Sequence, residues 1–324
     1  MKELAKQCHV SVSTVSKAFN EAEDISKETK QHIFETATNL GCFGKFYKGK
    51  YHKKIIGVIC PEVLGGFYAI FLKKLQDLIE ASGAICMISA DDFSVKKQAE
   101  LIEYYAAYLK VDGCIVIELQ APLKKGYDIP IVSLFSQVTG CDCVNTDMDY
   151  AMAETVNALY DLGHRHIAFL GEVLTRSKAV CFQNAIKAKK DCFATVLESS
   201  LRFEQAGADC ICQLIDSGAP FTAVICAYDN IAIGAMKQLQ KSGYRIPNDV
   251  SVVGINNIGT SSFTETSLTT IDITPDDVCS ILWGLMENKL TNKHFRVRQN
   301  IVVKPRLILR ESIGAAKEIA DARK

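Results

Sequence analysis

Hydrophobic positions change their period along this chain, and the changes divide it. Near the N-terminus Leu4, Ala5 and Cys8 recur at helical spacing, stop at His9 and Val10, and resume behind Ser11 as Val12, Val15, Ala18 and Phe19. The spacing predicts helix, tight turn, helix, with the Ser11 hydroxyl capping the second helix. A third helix is expected from Ser26, where Ile33, Ala37 and Leu40 keep a 3.6 period and Gly41 ends the run. From Ile55 the pattern becomes strand, helix, strand, helix: IIGVIC, AICMIS, GCIVIE and PIVSLF are short apolar runs separated by FYAIFLKKLQDLIEASG and VKKQAELIEYYAAYLKVDG. The cycle restarts at YAMAETVNALYDLGHRHIAFLG and continues to VSVVGIN. The expected fold class is α/β, a three-helix helix-turn-helix head followed by two lobes built on doubly wound parallel sheets. Sheets of this kind take ligands beyond the carboxyl ends of their strands, so a small-molecule site is expected between the lobes.

The second helix leaves Ser13, Thr14, Ser16 and Lys17 off its packing face. Short polar and cationic side chains let a helix lie in a major groove, where they reach base edges and phosphates; a capped surface hairpin is the plainer alternative. Charge favours the first. The chain is neutral overall, but residues 1–54 hold ten Lys, no Arg and six acids, a net +4, against 27 basic and 31 acidic residues, a net −4, in the remainder. Clustered Lys supplies the sequence-independent part of duplex affinity. Residues 42–54, CFGKFYKGKYHKK, read as a basic aromatic linker, with a solvated tether as the bland expectation.

The length of 324 residues suggests two or three units, and 48% hydrophobic residues a packed globular chain. No apolar run approaches the ~20 residues that span a bilayer, and MKELAKQ lacks a signal-peptide core, so a cytoplasmic protein without membrane partners is expected. Met1 falls at or just inside the first helix, which implies a frayed first turn or a late start. The 13 Cys are scattered; Cys60, Cys86, Cys114 and Cys226 sit in apolar runs and read as small hydrophobes. The pairs His164/His166 and Cys141/Cys143 lack a four-ligand metal spacing, and Cys210/Cys212 read as core. Neither metal nor cofactor is expected. Gly65-Gly66 reads as a turn, and no nucleophile elbow, phosphate-binding loop or zinc-protease motif is present, so no enzyme is expected.

Seven motifs sharpen the reading: VSVSTVSKAFN (10–20), GHRHIAFLG (163–171), RFEQAG (202–207), DNIAIGAM (229–236), GYRIPNDVSVVGIN (243–256), LTTI (268–271) and LILRESIG (307–314). In this order they resemble the LacI/GalR family of bacterial transcription regulators, from residue 1 to about 314. The resemblance implies a homodimer whose heads read a pseudo-palindromic operator, and AAKEIADARK, after residue 314, is too short for a tetramerising coiled coil, so a dimer is expected over a tetramer. The resemblance also implies a periplasmic-binding-protein-like core whose small-molecule effector changes operator affinity. The implied division is 1–41 for the head, 42–54 for the linker, 55–163 with 275–303 for the first lobe, 164–274 with 304–314 for the second, and 315–324 for a tail. By family position Val12, Ser13 and Lys17 face bases, while Thr14, Ser16 and Asn20 face phosphates or brace the motif. Lys17 stands where many relatives carry Arg and lacks its planar fork.

The linker and the effector set depart from the family pattern. Relatives carry Pro-Asn or Pro-Ser, Ala-Arg and an apolar Leu that form a minor-groove hinge helix; here Gly44, Lys45, Lys48, Gly49 and Tyr51 occupy that region. Phe46 or Tyr51 is then the expected wedge, with a linker that touches only phosphates as the alternative. The expected effector set is Phe67, Tyr68, Asp147, Lys178, Tyr228, Asp229 and Asn256. Lys178 replaces a family Arg, Cys181 a Gly, Asn256 an Asp and Tyr228 an Asn, while Asp229 is retained. Phe67 and Tyr68 suit a ring. A sugar or sugar derivative is the expected effector class, and helix capping is the competing role for Asp229. Two other readings stay open: a regulator whose degenerate cleft answers to a protein partner, and a small-molecule receptor that does not bind DNA.

Overall fold

The computed structural model describes residues 1–20, 22, 24–47, 53–124, 126–136, 138, 140–292 and 297–317. The chain separates into a small unit, residues 1–54, and a large one, residues 55–324.

In the small unit, α1 (Lys2–Gln7), α2 (Val12–Phe19) and α3 (Lys27–Asn39) enclose Leu4, Ala5, Cys8, Val15, Ala18, Phe19, Ile33 and Ala37. Ser11 Oγ accepts the Thr14 N–H at 3.0 Å and Ser26 Oγ accepts the Thr29 N–H at 3.1 Å, so each later helix starts on a hydroxyl cap. The linker departs from expectation. Its first residues form one further helical turn, α4 (Phe43–Phe46), and Phe43, Phe46 and Tyr47 pack on the head's core rather than beginning a solvated tether. The reason is aromatic: Phe19 and Phe34 present their rings, and Phe43 meets both at centroid distances of 5.7 and 5.1 Å.

The large unit carries two six-stranded sheets. The first takes β1 (Ile55–Cys60), β2 (Ile85–Ala90), β3 (Gly113–Ile117), β4 (Ile131–Leu134), β5 (Asp142–Thr146) and the late strand β11 (Asn300–Val303), all parallel, in the order β11-β5-β4-β3-β1-β2. The second takes β6 (His166–Glu172), β7 (Phe193–Ser199), β8 (Ala223–Cys226), β9 (Ser251–Ile255), β10 (Thr269–Asp272) and β12 (Arg306–Ile308), in the order β12-β10-β9-β8-β6-β7. One strand breaks the expected parallel rule: β12 runs antiparallel to β10. It follows β11 after only two residues, too few for a helical crossover, and so enters the second sheet from the opposite direction.

Helices α5 (Gly66–Ala81) and α6 (Val95–Glu103), the latter prolonged by a π-helical segment Tyr104–Leu109, follow β1 and β2. Further along the chain come α7 (Met148–Asp161), α8 (Arg176–Lys187), α9 (Phe203–Asp216), α10 (Asp229–Lys241) and α11 (Pro275–Thr291). One expected boundary moves. A first-lobe limit at residue 163 would assign α7 to the first lobe, yet its buried face, Ala151, Met152, Val156 and Leu159, joins Ile167 and Phe169 in the core of the second sheet. The first crossing therefore falls near Asp147. The later crossings lie at Thr274-Pro275, where α11 returns to the first core through Val278, Leu282 and Met286, and at Lys304-Pro305.

The second lobe depends on a close helix crossing. A methyl placed on Gly234 of α10 would lie 1.9 Å from the Glu204 carbonyl oxygen, and one on Gly207 of α9 would lie 1.9 Å from the Ile231 carbonyl oxygen. Backbone cannot yield as a side chain can, so each glycine sets the spacing of the pair. Gly234→Ala is expected to destabilise the core by about 2–3 kcal/mol, the cost of overpacking a well-filled interior. Urea unfolding followed by far-ultraviolet circular dichroism would read this, and an unchanged midpoint would remove the crossing from the stability argument.

Candidate DNA-reading head and effector cleft

In the head, Val12, Ser13 and Lys17 are exposed on α2 while Val15, Ala18 and Phe19 are buried beneath them. Three of the expected contact residues are also tied to one another or to the helix. Thr14 Oγ1 lies 2.8 Å from Ser11 Oγ, and Asn20 Nδ2 donates to Ser16 Oγ at 3.4 Å. These bonds brace the helix without hiding its outer face. Lys17 pairs with the Asp24 carboxylate, which holds Asp24 below the usual carboxylate range. Sequence reading missed this acid, although it lies seven residues from the lysine. Phe46 does not stand free as a wedge: its ring packs 5.7 Å from that of Phe19. Tyr51 lies outside the described residues.

In the large unit, the polar groups of interest sit where strands end. Glu62 follows β1, Glu118 follows β3, Glu172 closes β6, Arg202 follows β7, Tyr228 and Asp229 follow β8, and Asn256 follows β9. The same ends carry left-handed backbone at residues other than glycine: Phe93, Glu118, Phe135, Phe203, Asn256 and Thr274. Such backbone costs on the order of 1–3 kcal/mol per residue and is held by its surroundings, which makes its clustering a marker of a site.

The two lobes meet here. Arg202 donates from both terminal nitrogens to the Glu62 carboxylate, at 2.8 and 3.0 Å, and from Nε to Glu172 Oε1 at 3.3 Å. Its guanidinium lies 4.5 Å from the Phe203 ring centroid and 5.7 Å from that of Phe93. A methyl on Gly65, at the start of α5, would sit 3.1 Å from the Phe203 ring, so the lobes are drawn together at this point. None of Glu62, Glu118, Glu172 or Arg202 was among the expected residues. Applying the strand-end rule to each charged residue would have found them.

The expected effector residues divide into two groups. Tyr68, buried, donates its hydroxyl to Glu118 Oε1 at 2.7 Å, and burial followed by that carboxylate pushes its ionisation far up. Lys178 donates to the Ala227 carbonyl at 2.9 Å; burial lowers it to about 8 against the opposing pull of Glu118 and Asp229. Tyr228 lies 6.0 Å ring to ring from Phe203, and Asn256 is buried at its strand end. Tyr68, Lys178 and Tyr228 gather around Glu118 and Phe203, while Asn256 shares only the strand-end position. Phe67, half-buried, packs against the first core, stacked on Phe135 at 5.9 Å and edge-on to Phe71 at 5.2 Å. Asp147 caps α7 by accepting the Tyr150 N–H at 2.9 Å. Asp229 does not cap α10: Tyr228 is the N-cap position, and the buried Asp229 carboxylate accepts from the Ile258 N–H at 2.8 Å and the Thr270 hydroxyl at 2.6 Å. It pins α10 to the loop after β9.

The paired His and Cys residues also resolve. His164 is buried between Thr222 Oγ1, at 2.8 Å, and the Gly314 carbonyl, at 3.0 Å, while His166 stacks on Phe193. Cys210 is buried and Cys212 exposed. Among the described residues no three His, Cys, Asp or Glu side chains gather as metal ligands, and no helix is long and apolar enough to cross a membrane.

A helix-turn-helix head on a two-lobed α/β core with a polar cleft defines a ligand-responsive DNA-binding regulator. Known proteins agree. Residues 1–41 match the profile of bacterial regulatory proteins of the lacI family, and residues 156–313 match that of the periplasmic binding protein-like domain. The HTH-type transcriptional repressor PurR of Salmonella newport (strain SL254) is 26% identical over 332 residues, spanning 97% of this chain and 96% of its own. Among solved structures, the lac repressor dimer bound to operator and an anti-inducer superposes with a TM-score of 0.76 at 21% identity, covering 96% of this chain and 98% of that one. A LacI family regulator from Enterococcus faecium with bound ribose gives 0.70 at 21% identity over 82% of this chain and all of that one. Together these likenesses indicate a LacI/GalR family regulator: a lacI-family DNA-binding domain at residues 1–41 and a periplasmic-binding-protein-like domain at residues 156–313.

Two outcomes are expected from these contacts. Asp24→Asn releases Lys17, so duplex affinity rises severalfold at low salt and its dependence on salt steepens by about one counterion; filter-binding titrations across salt concentrations check this, and an unchanged slope would mean Lys17 does not reach DNA. Burial raises Asp229 from 3.8 to about 6. The fold thus favours its protonated form, and this stabilisation is complete below about pH 4 and lost as pH rises through about 6. Asp229→Asn is expected to flatten that part of the stability profile by up to about 3 kcal/mol in denaturant titrations, and wild-type and variant profiles that stay parallel would overturn the assignment.

Proposed function

We propose that this protein is a homodimeric, cytoplasmic transcription repressor. Its heads bind a pseudo-palindromic operator, and a small polar effector in the inter-lobe cleft sets operator affinity. The observation that carries the reading is the exposed row Val12, Ser13, Lys17 above a fully buried Val15-Ala18-Phe19 seam, on a helix capped for groove entry. Val12, Ser13 and Lys17 read bases, and Thr14, Ser16 and Asn20 hold the helix to the backbone. One head covers too few bases for selectivity, so two are needed, spaced by about one helical turn of ~34 Å. The edge strand β2 supports pairing with a second copy. It exposes Ile88, and the neighbouring π-helical segment exposes the stacked rings of Tyr104 and Tyr108.

A sugar or sugar derivative is the favoured effector class. The Enterococcus faecium regulator holds ribose, and one from Alkaliphilus metalliredigens holds D-xylulofuranose, both at about 20% identity. Tyr68, Lys178, Tyr228 and Asn256 supply the hydrogen-bonding lining, with Phe67 and Asp147 acting through the framework. The chemistry is binding, without catalysis. The test is operator selection from fragmented genomic DNA at moderate salt, with ribose, xylulose and related sugars added in turn. A symmetric site is expected to bind at least about a hundredfold more tightly than its half-site or random duplex. Lys17→Ala should erase most of that preference, and a chain that ranks all duplexes alike would end the proposal.

A further inference from the structure

The closed cleft already contains a ligand-like group, and it belongs to the protein. The Arg202 guanidinium is held by two carboxylates on different lobes and by the faces of Phe93 and Phe203, a set of partners suited to an organic cation. The partners are unequal. The Glu62 and Glu172 side chains are 10% and 3% exposed and anchored at strand ends, whereas the Arg202 side chain is 39% exposed at the end of a long flexible stem. The arginine can swing away on its stem while the carboxylates stay fixed at their strand ends. Arg202 reaches only one oxygen of Glu172. Glu172 Oε2 and the neighbouring Tyr228 hydroxyl are both buried outside hydrogen-bond geometry, and they are close enough that this carboxylate, after burial, pushes the Tyr228 ionisation up. A buried carboxylate oxygen lacking a donor costs free energy until one arrives.

We infer that the cleft accepts a ligand bearing a guanidinium or amine, which takes the place of Arg202 between Glu62, Glu172 and the two rings and offers a further N–H to Glu172 Oε2. This rests on reading the cleft as the effector site and narrows the sugar-derivative class favoured above to derivatives that carry a cationic nitrogen, setting aside the neutral parent sugars. Arg202 is then an internal competitor. It keeps the lobes together without ligand and sets a threshold that only a cation of matching shape passes, while a neutral or anionic compound leaves two buried carboxylates bare.

The full-length protein tests this by chemical rescue. The probes are methylguanidinium and its neutral planar counterpart methylurea, read by thermal unfolding and calorimetry. Arg202→Ala is expected to melt at lower temperature and to regain the lost stability with methylguanidinium at concentrations on the order of millimolar, as befits a five-atom fragment, but not with methylurea. Glu172→Gln in that background should abolish the rescue. The wild type, which does not depend on the variant accumulating folded, is titrated in parallel: methylguanidinium should bind, about tenfold more weakly than to the variant, and methylurea should not. Equal effects of the two probes, or no effect of either on the wild type, would overturn the inference. Operator binding by the unliganded wild type is measured separately. A chain that selects an operator but ignores methylguanidinium refutes the cationic site alone, whereas one that binds the cation but no duplex refutes the regulatory reading.

Discussion

A bidentate ion pair that spans two lobes governs the large unit of this protein. Each lobe is a sheet whose strand ends gather polar side chains that the apolar interior cannot accept, and Arg202 satisfies such groups on both sides at once. A half-buried pair of this kind is weak support for stability, because desolvation of the carboxylate and screening of the exposed arginine offset much of the attraction; its value lies in geometry. The planar fork fixes where Glu62 and Glu172 stand relative to one another, and with them the approach of α5 to the opposite lobe. Left-handed backbone at Glu118, Phe203 and Asn256 is tolerated where this geometry requires it.

The head follows a different logic. Its core is small, so its stability depends on caps and rings as much as on aliphatic burial. Ser11 and Ser26 tie down the first turns of the two longer helices, and the rings after Asn39 close over Phe19 and Phe34. The outer face of α2 is thereby left to carry polar groups, of which Thr14 and Ser16 are braced by Ser11 and Asn20. Lys17 is restrained by a carboxylate that competes with any external anion.

The elements that were legible in the sequence were those whose hydrophobic period is local. Val12, Val15, Ala18 and Phe19 announce their helix, and runs such as GCIVIE announce buried strands. Side-chain roles at the cleft were much less legible, since they depend on which strand ends become neighbours. Asp229 looked like a cap or a ligand because it opens a helix after a strand, yet the groups that claim it, the Ile258 amide and the Thr270 hydroxyl, are far along the chain. Arg202 stands within the RFEQAG motif, where nothing near it in sequence shows its task, because its partner Glu62 lies 140 residues away. The antiparallel edge strand β12 and the second-lobe placement of α7 were equally hidden: both are decided by where the chain crosses between sheets.

The ring cluster of the head also moves the place at which the DNA-reading module can be cut from the rest. A family boundary at residue 41 falls between Phe34 and the rings that cover it. Excision there would leave Phe19 and Phe34 facing water, and each lost ring contact forfeits about 0.5–1.5 kcal/mol beyond simple area burial. The smallest self-sufficient fragment of this regulator therefore extends through Tyr47, and what a family alignment marks as the beginning of the tether serves here as the lid of the fold before it.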